Sequence, residues 1–338
     1  MATERTDQQQ ANPPVRLPSR FEHDASYTRL LRDLEKLDAL KRQNGARYVS
    51  DLCEMRERLA CLIERAYDNL SGWQTVQLAR RPGRPRFSDY VKAIVRDFCE
   101  LHGDRAFGDD RAIVTGFGRI AGHRVLLVGH DKGSAAPGEA RQSLGYAQPE
   151  GYRKALRKMK LAEKFRVPVV TWIDTPGAFP GIGAEERGIA SAIAENLKEM
   201  SRLRVPIICV IIGEGGSGGA IGIGVGDRIA MFRHAYYSVI SPEGCASILF
   251  RDAGLAQEAA DELHLRASDL KRLEVVHDVL DEPLGGAHRD PARAAATLEA
   301  YLGEALDRLK TLPVDLLLSQ RQERLLRFGT SFVTVGKA

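Results

Sequence analysis

Val205–Asp227 reads VPIICVIIGEGGSGGAIGIGVGD. The first part, Val205–Ile212, is apolar and β-branched with Pro206 near its start, the composition of a buried strand. Gly213, Gly215, Gly216, Gly218 and Gly219 follow, separated only by Glu214 and Ser217. The small residues of Ala220–Val225 then predict a tightly packed helix. A strand that breaks into glycines and restarts as a helix aims backbone N–H groups into the gap, and without Cβ atoms another group can approach closely. Such a turn holds negative charge, either a phosphate or an oxyanion formed during a reaction.

Three patterns fit the turn. Gly213–Gly218 matches the dinucleotide fingerprint G-x-G-x-x-G, which also requires an acidic residue about 20 positions on. That region here is Met231-Phe232-Arg233-His234, which is basic. Gly215–Gly219 matches the nucleophile elbow G-x-S-x-G, with Ser217 as nucleophile and Asp278 or Asp281 with His288 as partners in chain order. The third pattern is an oxyanion hole without a side-chain nucleophile. A Gly-rich turn used only for close packing is the plain alternative.

Outward from this stretch, strand and helix alternate. Ala112–Ile120 and His123–Gly129 are β-rich runs joined by Ala121-Gly122, a hairpin signature. Helices are expected from Ser88, as cap, through Phe98, at Tyr152–Phe165 and at Ala184–Arg202. Strands are expected at Val167–Ile173, Arg228–Phe232, Tyr236–Ile240 and Val275–Leu280. Ser241-Pro242-Glu243 opens a further helix, and Asp290–Leu309 and Val314–Phe328 are C-terminal helices. Alternation implies an α/β domain with largely parallel strands, and the pairing of short strands per helix suggests stacked ββα turns. A second Gly-rich loop follows a strand at Asp174–Gly183, so Gly177 and Ala178 would line one cleft with Gly215 and Gly216. Upstream, Leu30, Leu31, Leu34, Leu37 and Leu40, then Leu52, Met55, Leu59, Leu62 and Ile63, form the stripe of a two-helix arm, with Gly72 as its stop.

The chain has 338 residues and a net charge of +4. No compact basic block interleaved with aromatics is present, which argues against nucleic-acid binding. The densest basic run, Arg80-Arg81-Pro82-Gly83-Arg84-Pro85-Arg86, reads as a solvated linker because of its prolines. The five cysteines are widely spaced with no C-x-x-C, so neither a disulfide framework nor a zinc ribbon is expected. The polar N-terminus is not a signal peptide, no apolar run is long enough to span a bilayer, and residues 1–20 have a disordered composition. The histidines lack metal-ligand spacing, so no metal site is expected. These features suit a cytoplasmic location.

Five segments taken together are more specific: PEGYRKAL at 149–156, IDTPGAFPGIGAEERG at 173–188, VIIGEGGSGGAIGIGVGD at 210–227, SVISPEGCASIL at 238–249 and EPLGGAHR at 282–289. In this order the sequence resembles the α subunit of the bacterial acetyl-CoA carboxylase carboxyltransferase, from about Trp73 to about Leu312. The resemblance implies a crotonase-like ββα superhelix at 83–312, after a disordered 1–20 and a helical arm at 21–82, with a C-terminal helix and tail at 313–338. It implies that a carboxyl group passes from carboxybiotin, on a biotin carboxyl carrier protein, to acetyl-CoA, giving malonyl-CoA for fatty acid biosynthesis. It further implies a β subunit in an α2β2 assembly, zinc on that β partner, and a biotin carboxylase in the same system. The family's donors to the biotin ureido oxygen match Gly218 and Gly219. The sequence departs from the family after His130-Asp131-Lys132-Gly133, where a basic stretch is replaced by neutral Ser134–Gly138. Two other functions compete with this one: a serine hydrolase using Ser217, and a non-catalytic CoA-binding module.

Overall fold

In the computed structural model of the chain, Asp33, Lys36 and residues 49–133 and 144–329 are described. Two compact units divide at Asn69 and Leu70. In the first, α1 (Val49–Asp68) is a continuous 20-residue helix with an Arg58–Glu54 pair at 2.6 Å, one turn apart. The stripe expected at Leu30–Leu40, the side chains of Leu59 and Leu62, and residues 1–20 lie outside the described residues.

The second unit is built on one mixed sheet. Its strands are β1 (Arg96–Glu100), β2 (Ile113–Ile120), β3 (His123–His130), β4 (Val169–Thr175), β5 (Ile207–Gly216), β6 (Arg228–Phe232), β7 (Tyr236–Ser238) and β8 (Asp278–Leu280). The order is β1-β2-β3-β4-β5-β6-β8, and β7 pairs only with β5. β1, β2 and β3 are antiparallel, and every pairing from β3 onward is parallel. The β2–β3 hairpin turns through Ala121 (φ 46°) and Gly122 (φ 83°), both in the left-handed region that a two-residue hairpin turn demands. β4 and β5 are buried along their whole length, as expected for central parallel strands rich in Val and Ile.

The helices of this unit are α2 (Gly72–Ala79), α3 (Phe87–Ile94), α4 (Pro149–Lys164), α5 (Ile182–Glu186), α6 (Ile189–Met200), α7 (Ser217–Ile221), α8 (Pro242–Leu249), α9 (Ala256–Glu262), α10 (Ala267–Arg272), α11 (Pro291–Lys310) and α12 (Val314–Arg327). The core centres on Trp172 of β4, whose ring meets Phe87 at 5.4 Å and Tyr90 at 6.0 Å, both edge-on.

Several sequence expectations are corrected. β5 does not stop at Ile212. It runs on to Gly216, because β7 supplies a new partner for Glu214, Gly215 and Gly216. The helix expected at Ala220–Val225 is instead the shorter α7, beginning at Ser217. Gly72 starts α2 rather than stopping a helix, with Ser71 as its cap in a reciprocal pair with Gln74. Arg86, not Ser88, is the N-cap residue of α3, and Phe98 belongs to β1. The single helix expected at 184–202 is split by Gly188, whose φ of 77° ends one helix and starts the next. The helix expected after Ser241 is present as α8, with Pro242 and Glu243 in its first turn, and the Ser241 hydroxyl caps it, accepting from Gly244 N at 3.2 Å.

Candidate active site

The carboxyl ends of β3, β4 and β5 are neighbours, and each leads into a segment that the motifs single out. After β4 comes Pro176-Gly177-Ala178, and β5 ends at Gly215-Gly216 before α7. The two Gly-rich loops touch backbone to backbone. A Cβ on Gly219 would collide with Gly177 C and Ala178 N, and one on Gly216 would collide with Pro176 O. Only glycine permits that approach. The structure therefore brings together Gly177, Ala178, Gly216 and Gly219. Gly215 lies against Tyr237 of β7 instead, and Gly218 is half-buried with room for a side chain, since a Cβ there would meet Ile193 Cδ1 at an ordinary 3.6 Å.

Ser217, Gly218 and Gly219 form the first turn of α7, where N–H groups have no intrahelical acceptor, and no side chain caps them. The far end of α7 and the turn after it are fixed through their carbonyls. Tyr152 Oη donates to Gly219 O at 3.3 Å, buried Asn196 to Gly222 O at 2.9 Å and Thr171 to Ile223 O at 2.8 Å. On the facing loop, Thr175 Oγ1 accepts from Gly177 N at 3.0 Å and lies 2.7 Å from Gly145 O. The donors are thus held in place by anchors on three other elements, α4, α6 and β4.

Beneath the loops lies a charged cluster. Lys132, in the segment after β3, reaches Asp174 Oδ1 and Glu214 Oε1, each at 2.7 Å. Asp174 Oδ1 also accepts Glu214 N at 2.8 Å. Glu214 Oε2 receives Arg80 Nε at 2.7 Å and Tyr236 Oη at 2.8 Å. Burial alone would raise the Glu214 pKa, but the charges of Lys132 and Arg80 overcome it and hold the carboxylate below its ordinary range. Burial works against Lys132 in the same way, and the two carboxylates raise its pKa above the usual value. Gly213 explains how Asp174 comes so close, since a Cβ there would sit 2.5 Å from Asp174 Oδ1.

The basic run at 80–86 is not a solvated linker. Arg84 is buried, donates to Ile212 O at 3.0 Å and forks onto both oxygens of Glu282 at 2.9 and 2.7 Å. Glu282 also accepts from the N–H of His234 and of Ala287, which ties the segment at 282–289 to the end of β5. The partners of Arg80 and Arg84 lie well over a hundred residues away in sequence, so no local pattern announces them. The segment at 149–156 acts similarly: Glu150 takes Arg187 at 3.1 Å and so anchors the chain just after α5.

Ser217 is exposed with φ 53°, a strained conformation at a strand-to-helix turn. The hydrolase reading needs an acid and a base beside it. Asp278 is occupied by Arg228 at 2.7 Å and by Tyr301 at 2.8 Å, and Asp281 pairs with Arg233 at 3.0 Å. His288 lies against Gly286 and bonds none of them. The Ser217 triad is not assembled.

A mixed sheet, parallel from β3 onward, with backbone donors at a strand-to-helix junction defines a crotonase-like fold, and solved structures share it. The Transcarboxylase 12S structure with methylmalonyl-coenzyme A and methylmalonic acid bound matches at a TM-score of 0.56 and 22% identity, covering 69% of this chain and 43% of that one. A Pseudomonas malonate decarboxylase hetero-tetramer in complex with coenzyme A matches at a TM-score of 0.54 and 17% identity, covering 68% of this chain and 90% of that one. In sequence, the acetyl-coenzyme A carboxylase carboxyl transferase subunit alpha of Xanthomonas axonopodis pv. citri (strain 306) is 54% identical over 275 residues, 81% of this chain and 86% of that protein. The model of the family described as acetyl co-enzyme A carboxylase carboxyltransferase-like matches residues 20–329, and the chain belongs to that family.

Proposed function

We propose that this chain is the α half of a two-subunit carboxyltransferase that moves a carboxyl group from carboxybiotin to acetyl-CoA, with Gly218 and Gly219 as the donors that make the transfer fast. The observation that supports it most is the backbone-on-backbone junction of Gly177-Ala178 with Gly216–Gly219. It leaves the first-turn N–H groups of α7 uncapped while fixing the turn itself. As the bond between the biotin nitrogen and the carboxyl carbon breaks, electrons move onto the ureido oxygen. Donors already in place favour that charge over the neutral ground state. The methyl proton of acetyl-CoA passes to the biotin nitrogen, and the methyl carbon attacks the released carbon dioxide, giving malonyl-CoA. No side chain of this chain is assigned as general base.

The second anion, on the thioester oxygen, is held by the β subunit. Exposed apolar side chains stand beside the loops, with Phe179 37%, Ile182 77% and Ile221 38% accessible, and a partner surface accounts for them. The β subunit carries the zinc, the assembly is α2β2, and biotin carboxylase and the biotin carboxyl carrier protein supply the carboxyl group in the cytoplasm.

Malonyl-CoA formation is measured with the purified chain, alone and after addition of a zinc-ribbon β subunit. Activity is expected only in the mixture. Full turnover by the chain alone would sink the two-subunit reading.

A further inference from the structure

A cleft of about 630 Å³ opens at the amino ends of the parallel strands, between the head of β6, the segment from Lys271 to His277, the last turns of α11 and the second half of α12. It lies far from the Gly-rich loops. Arg228, on its wall, is paired with Ile208 near the start of β5, and Gly216 ends that strand eight residues later, about 26 Å away at the rise of a β-strand.

The charges around the cleft do not cancel. Arg321 is fully satisfied: it forks onto Asp227 with both bonds at 2.7 Å and donates to three main-chain carbonyls. Arg327 pairs with Glu323, and Arg228 Nη2 pairs with Asp278 at 2.7 Å. Among the described residues Arg324 gives one hydrogen bond, from Nη2 to Gly226 O at 2.7 Å, while its Nε and Nη1 have no acceptor, nor has Nε of Arg228. Burial depresses the Arg324 pKa, helped by the Arg321 charge and only partly opposed by Asp227, whose two oxygens are already taken by Arg321. Among the described residues, Lys271 and Arg308 are exposed on the rim with no carboxylate in reach, and Glu274 is the one lining acid without a cation. Three uncompensated cations against one uncompensated acid leave two positive charges.

The rest of the wall is apolar. Leu273, Val276, Leu309 and Leu312 line it, and Phe328 presents its ring 5.2 Å from the Arg324 guanidinium carbon. A phosphate monoester carries close to two negative charges at neutral pH, and guanidinium groups suit its oxygens. The volume lies within the range of small-molecule sites.

We propose that this cleft binds a small phosphate monoester with a planar or apolar body, its phosphate between Arg324, Arg228, Lys271 and Arg308 and its body against Phe328 and the Leu309–Leu312 wall. The site is independent of the carboxyl-transfer reading.

Titration calorimetry on the full chain, with AMP, adenosine and inorganic phosphate as probes, tests it. AMP is expected to bind at one site, adenosine about tenfold or more weaker, and added salt should weaken AMP. Arg324→Gln should weaken AMP by about tenfold or more. The exposed pair Lys271→Gln with Arg308→Gln should do the same without disturbing buried structure. Gly218→Ala, on the opposite end of the sheet, should leave AMP binding unchanged. No heat up to about 5 mM AMP would overturn the proposal. So would AMP binding that survives the Lys271→Gln/Arg308→Gln variant, which would place the ligand elsewhere.

Discussion

Lys132→Met should cost the fold about 3–5 kcal/mol at pH 7.5, the range for breaking a buried ion pair from one side. The lysine nitrogen is 2.7 Å from both Asp174 Oδ1 and Glu214 Oε1, so those oxygens are at most twice that distance apart. Without the ammonium, two buried carboxylates face each other at about 5 Å, a repulsion of about 3 kcal/mol at an effective dielectric of 20. The two lost charge-assisted hydrogen bonds act in the same direction, partly offset by Arg80, which still holds Glu214. The pH dependence identifies the cause. In the wild type the Glu214 carboxylate is held below its ordinary pKa, so its contribution is present above about pH 4.5 and lost as the pH falls through the folded value. In the variant one of the carboxylates takes up a proton more readily than in the unfolded chain, so the variant recovers as the pH falls. Urea unfolding at pH 7.5 and pH 5 should therefore show a penalty that shrinks at the lower pH. A penalty below about 1 kcal/mol at pH 7.5, or one equal at both pH values, would refute the reasoning. In the assembled enzyme, transfer should slow by tenfold or more, because both loops start from residues that Lys132 holds.

Gly219→Ala should destabilise the fold and abolish transfer, because its Cβ meets the backbone of Gly177 and Ala178, whereas Gly218→Ala should fold normally; thermal unfolding of the two separates them. Ser217→Gly should stabilise the chain by roughly 0.5–1 kcal/mol by relieving a φ of 53°, with most activity kept and no labelling of the wild type by a fluorophosphonate; a labelled Ser217 would revive the hydrolase. His130 is wholly buried, and burial followed by the Lys132 charge pushes its pKa down to about 3. The unfolded chain takes up that proton first, so stability is full above about pH 6.5 and falls as the pH drops, by up to about 1.4 kcal/mol per unit. His130→Phe should flatten that slope in urea titrations between pH 6 and 4.

The central glycine stretch pointed to the candidate site because its signal is local: a Val/Ile run, then residues without Cβ atoms. The hairpin at Ala121-Gly122 and the helix that opens with Pro242 and Glu243 were legible for the same reason. What escaped was set by partners far along the chain. The extension of β5 through Gly216 depends on pairing with Tyr236–Ser238, and the burial of Arg84 depends on Glu282. A run of arginines and prolines has the same composition whether it meets solvent or a carboxylate. Lys132 was visible only as part of a quoted motif, since nothing in Asp131-Lys132-Gly133 shows that two acids from neighbouring strand ends converge on it.

The junction between the two Gly-rich loops is made of main chain, and every residue type carries the same main chain. It has no side chain that a substitution could take away. It can be damaged only by atoms added where there is no room, as at Gly216 and Gly219. In a saturation library these positions should therefore show an inverted profile, with alanine nearly as harmful as tryptophan. Ile221, exposed one turn further along α7, should accept wide variation. The exposed surface around Ile221 can then drift over generations while the junction beneath it stays fixed.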